Sequence, residues 1–95
     1  MVKVTAPIIN LNGTSADELM NQNIEAAEAL RAAILALQKA APHGRDYQTA
    51  MNDEYKQARA EHQARLVILN SVLDQIVSIG SDIHGQRDAA IRRKK

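Results

Sequence analysis

The chain has no cysteine, no tryptophan and no phenylalanine, and only two tyrosines, Tyr47 and Tyr55, among its 95 residues. Without thiols, neither a disulfide nor a thiolate metal site can form. Without large rings, the core falls to Ala, Leu, Ile and Val, and each buried Ala contributes little area. Two prolines, Pro7 and Pro42, and four glycines give the chain few places to break. No basic stretch precedes an apolar run at the amino terminus, which argues against a secretory signal. No apolar run approaches the roughly 20 residues of a bilayer span. The expectation is a cytoplasmic protein without membrane contact.

The net charge is +1, unevenly spread. Residues 87–95 hold five basic side chains against one acid, Asp88, a local +4 that leaves −3 on the rest. An acidic body with a basic tail is not the profile of a domain built around duplex DNA. The tail Arg92-Arg93-Lys94-Lys95 attracts polyanions by counterion release or remains a solvated end. Nucleic acid is expected only through that tail.

What the chain does have is helical periodicity around one chemically dense stretch, Ala41-Pro42-His43-Gly44-Arg45-Asp46-Tyr47-Gln48. Before it, Leu19, Met20, Ile24, Ala27, Leu30, Ile34 and Leu37 recur at three- and four-residue steps, an apolar stripe of helix one over 15–40. Ser15 with Glu18 matches the capping box, Lys39 suits the helix end, and Pro42 stops the helix. After it, Met51, Tyr55, Ala58, His62, Leu66, Leu69, Leu73, Ile76 and Ile79 form the stripe of helix two over 49–79. Asp46, Thr49 and Asn52 all qualify as its cap. Gly80 is the expected terminator, leaving 80–95 as a short helix broken at Gly85, or a basic tail. Both helices are then about 40 Å long at ~1.5 Å per residue.

The predicted fold is all-α, one domain over 1–95: two long antiparallel helices, a helical hairpin with a tip loop at 41–48. An extended arm over 1–13 precedes it. Pro7 confines the arm to an extended segment or edge pairing; its aliphatic residues either take cover from a neighbouring subunit or belong to a partly ordered terminus. A hairpin of this size and composition has too little interior to stand alone. Assembly into an oligomeric helical bundle is expected, as is the widened apolar face of helix two at Val67, Ile68, Val72 and Val77.

Candidate ligand-binding residues cluster at the tip. Arg45 offers a rigid donor fork for phosphate, Tyr47 a ring for stacking, His43 and Gln48 further donors, and Gly44 a close approach for backbone amides. The plainer alternative is a turn in which Asp46 caps helix two and pairs with Arg45. At the other end, Asn12-Gly13-Thr14-Ser15 is either a helix cap or an anion cradle of free amides. On helix two, His62 lies on the apolar stripe with Arg65 one turn on. Position 66 is Leu, so the paired histidines of zinc proteases are missing. A buried structural histidine is one reading, and a pocket lined by His62 and Arg65 within an oligomer is the other. No nucleophile elbow, P-loop or metal-ligand spacing occurs, so no catalysis and no cofactor is expected.

Three stretches, Ile9-Asn10-Leu11-Asn12-Gly13-Thr14-Ser15, Pro42-His43-Gly44-Arg45-Asp46-Tyr47 and Glu61-His62-x-x-Arg65, resemble a family of small proteins encoded in phage and prophage genomes. They span roughly a fifth of the chain, and the resemblance implies an origin rather than an activity. Size and architecture are also similar to helical phage sponge proteins, oligomers that sequester cyclic nucleotides without cleaving them, an analogy of fold alone. An antiparallel dimer brings the tip of one copy to the helix start of the other, where Arg45, His43 and Tyr47 meet Gly13-Thr14-Ser15 around a phosphorylated ligand. The expected function is therefore an oligomeric, anti-defence sponge for a small nucleotide of cyclic or ADP-ribose type. The alternative is a protein-interaction module of phage origin that blocks or bridges a host or virion protein through its helical faces.

Overall fold

The computed structural model describes residues 3–48 and 53–93. They form two α-helices, α1 (Ala16–Lys39) and α2 (Glu54–Arg93), joined through a 3-10 turn at Gly44–Tyr47. No strand occurs among the described residues, and the helices double back as a hairpin.

α1 begins where its cap dictates. Ser15 is extended, and its hydroxyl accepts the Glu18 N–H at 3.2 Å. Asp17 and Glu18 sit in the first turn and Lys39 in the last, each at the dipole end that favours its charge. The helix closes at Ala40, whose N–H donates to the Leu37 carbonyl at 3.0 Å.

α2 departs from expectation at both ends. Asp46 falls inside the 3-10 turn, where its N–H donates to the His43 carbonyl at 3.0 Å, so it does not cap the helix. Thr49, Met51 and Asn52 lie outside the described residues. At the other end α2 passes through both Gly80 and Gly85 and runs to Arg93, the last described residue, a helix of 40 residues against 24 for α1. The two helices are therefore unequal, and 80–93 is neither a separate short helix nor a tail.

The reason is tertiary. A glycine inside a helix costs about 1 kcal/mol relative to alanine, and no described glycine adopts the positive φ that would make it a terminator. The extension recovers that cost by meeting the arm. The Gln86 side chain donates to the Pro7 carbonyl at 2.8 Å and accepts the Ile9 N–H at 2.9 Å. Arg87 reaches Asp17 at 2.8 Å. Ile83, 1% exposed, is the most deeply buried side chain described. At residues 7–9 the arm thus lies on its own helix and needs no neighbour's edge, although Ile8 and Leu11 remain open.

The rest of the interior is thin. Ala27, Ile34 and Leu66 join Ile83 as its buried apolar residues, with His62 among them. The chain measures 69 × 22 × 21 Å, with a radius of gyration of 19.7 Å where about 12 Å suits a compact domain of this length. It exposes 7569 Å², whereas a monomer of 10.4 kDa ordinarily shows about 5,400 Å². The surplus is of the order of 2,000 Å². Against the sequence expectation, α2 is by length and composition alone apolar enough to cross a membrane, and only 11% of its most apolar window is buried in the hairpin.

Candidate ligand-binding site

At the tip, Ala41 and Pro42 turn back over the first turns of α2. Together with Lys56, Arg59, Ala60, His62 and Gln63 they line a recess of 370 Å³. Lys56, Arg59, Ala60 and Gln63 stand at three- and four-residue steps, so one helical face carries two cations and an amide. No acid is among the residues lining the recess.

Beside the recess runs an aromatic ladder. The Arg59 guanidinium lies 5.6 Å from the centre of the Tyr55 ring, within cation–π range. Tyr55 in turn packs 5.7 Å from Tyr47, tilted by 38°, an ordinary geometry for paired rings. His62 is 7% exposed, and its Nε2 is buried with no hydrogen-bond partner among the described residues. Leaving such a group unpaired costs about 1–3 kcal/mol. The atom is closed to solvent, so a ligand in the recess would reach it only after neighbouring side chains moved.

The structure sorts the residues singled out from the sequence. Tyr47 joins the ladder, while His43, Arg45 and Gln48 are exposed on the loop that borders it. The open flank of Gly44 faces the Tyr55 ring, where an added Cβ would lie 3.6 Å from it, so an aromatic side chain rather than a ligand uses that space. Among the described residues neither Arg45 nor Asp46 forms an ion pair. Arg65 does not join His62. It is exposed and sits 4.0 Å from Glu61, one turn before it.

Asn12-Gly13-Thr14-Ser15 proves to be a cap rather than a cradle. The Asn12 N–H donates to Asn10 Oδ1 at 3.0 Å, and the Gly13 N–H donates to the Asn10 carbonyl at 3.3 Å. The Asn10 side chain also stands where a Gly13 Cβ would point, at 3.2 Å. The Asn12 and Gly13 amides are thus committed within the turn. This segment also lies at the far end of α1 from the tip, about 36 Å away at ~1.5 Å per residue.

Lys56, Arg59 and Gln63 were not singled out from the sequence. Alone they read as an ordinary charged helix face, and only the fold-back of Ala41 and Pro42 makes a recess of it. Their spacing around His62 was the available signal. Two further recesses, of 280 and 270 Å³, follow on the same side of the hairpin and share Arg31. Their walls are mainly apolar and include Ile24, Leu35, Leu73 and Val77. No group of three or more His, Cys, Asp or Glu able to hold a metal occurs among the described residues. No family model, curated protein or solved structure matches the chain.

Proposed function

We propose that this chain is a phage-encoded, oligomeric binding protein that sequesters a small phosphorylated nucleotide at the hairpin tip without turning it over. The observation that carries this reading is the acid-free recess of Lys56, Arg59, Gln63 and His62 beside the Tyr47–Tyr55 pair. Cations and an amide suit phosphate oxygens, and a tyrosine edge suits a base. A volume of 370 Å³ falls within the usual span of small-molecule pockets. Arg45, His43 and Gln48 are exposed on the loop that follows Pro42. The ligand class is a cyclic nucleotide or an ADP-ribose derivative.

Calorimetry of the full chain against cyclic di- and trinucleotides and ADP-ribose derivatives tests this. A saturable heat with at least one of them is expected. Arg59→Ala should weaken it at least tenfold and Arg45→Ala by less, with helical circular dichroism unchanged. Flat titrations across the whole series would overturn the reading.

One observation favours the second reading, a protein-interaction module acting on a host or virion protein. Val67 and Ile68 are 60% and 62% exposed in mid-helix, and such apolar residues mark docking surfaces more often than ligand sites. Capture of a single stoichiometric protein that is lost with Val67→Asp, and kept with Arg59→Ala, would support it instead.

A further inference from the structure

The two sides of the hairpin differ. One carries the three recesses described above and the residues Ile24, Arg31, Leu35, Asn70 and Val77. At about 100° per residue, Ala26, Ala29, Ala33 and Ala36 point well away from that side of α1, and Ile68, Val72 and Ile79 point away from it on α2. They share the opposite side. All four alanines are exposed, as are Ile68 and Val72. Glu28, Arg31 and Asp74 of the middle stretch fall elsewhere, while Glu25 borders the alanines and Glu61 and Arg65 share this side within two turns of Ile68 and Val72, where they would rim a buried patch. None of these seven residues, from Ala26 to Ile79, lines any of the three recesses described above. The patch they form is apolar and uncovered.

We infer that this side is occupied by a second copy of the chain, with the alanine stripe of one copy against the Ile68–Val72–Ile79 ridge of the other. This rests on the oligomeric part of the proposed function and adds the face, its occupant and the orientation. The area argues for it. An ordinary stable interface takes about 800 Å² from each partner, and the surplus of the order of 2,000 Å² accommodates it. Shape argues for a copy of the same chain. A shallow small-residue stripe and an aliphatic ridge lie side by side on one face, so a twofold axis along the hairpin sets each ridge into the other copy's stripe. The chain's own arm does not serve, because Gln86 holds it against the far end of α2. In this arrangement both tips lie at the same end, each recess facing outward, and α1 of one copy runs antiparallel to α2 of the other. The tip-to-helix-start dimer is thereby replaced.

Light scattering on the full chain, with circular dichroism on each variant, tests the face. The wild type should show at least twice the single-chain mass. Ala33→Asp and Ile68→Asp should lower it, whereas Leu35→Asp on the recessed side should not. The chain has no cysteine, so a second measurement is clean: Ala33→Cys combined with Val72→Cys should link copies on mild oxidation, and Ala33→Cys alone should not. A single-chain mass at every concentration would overturn the inference, as would an oligomer broken only by Leu35→Asp. A wild type that floats with neutral phosphatidylcholine vesicles as single chains would assign the face to lipid and equally overturn it. Nucleotide heats are independent of these outcomes, so loss of the ligand reading leaves this one standing, and the reverse.

Discussion

The base and the tip of the hairpin are built differently. At the base, side chains reach across the chain to satisfy one another: Gln86 clasps Pro7 and Ile9, Arg87 meets Asp17, and Ile83 is sealed beneath. At the tip the contacts are rings and a guanidinium, a basic recess stands open, and the Nε2 of His62 is buried without a partner among the described residues. Neither end is fully satisfied: Asn23 Oδ1 and Arg87 Nε toward the base are buried without a partner among the described residues, as His62 Nε2 is toward the tip. The ends differ in what lies over the helices, a side-chain clasp on the arm at one and a basic recess at the other.

Substitutions at the two ends probe that contrast. The largest effect is expected from Ile83→Ala, which empties the most buried site. A loss of about 2–4 kcal/mol is expected, a fall in Tm of ten degrees or more by thermal circular dichroism. Arg59→Ala should leave Tm within about 2 °C while abolishing most ligand heat. Equal destabilisation by the two would erase the difference between the ends.

Gln86→Ala comes next. It removes both bonds to the arm, at about 1–2 kcal/mol, and should expose residues 3–11 to limited proteolysis while α1 stays protected. Smaller still, and of opposite sign, is Gly85→Ala. Nothing lies within 4 Å of an added Cβ there, so a gain of about 0.5–1 kcal/mol is expected. A loss instead would mean that Gly85 breaks the helix after all.

The hairpin was legible in the sequence because its signals are local. The Ser15 cap, the α1 stripe and the breakers at 41–48 each act within a few residues. The run of α2 beyond Gly80 was not legible. Glycine reads as a stop by local rules, and the contact that overrides it joins Ile9 to Gln86, 77 positions apart. The candidate site was half legible: tip chemistry drew notice to Tyr47 and Arg45, while Lys56, Arg59 and Gln63 acquire meaning only once Ala41 and Pro42 fold over them. Asn12 and Gly13 misled in the opposite direction, since an amide-rich turn looks the same before and after Asn10 has occupied it.

Native mass spectrometry of the full chain, mixed with whichever cyclic nucleotide or ADP-ribose derivative gives the strongest heat, tests the central claim most directly. The account predicts masses at whole multiples of 10.4 kDa, each raised by one ligand per chain and losing the ligands together in Arg59→Ala. A bare single chain, taking up no ligand, would contradict it.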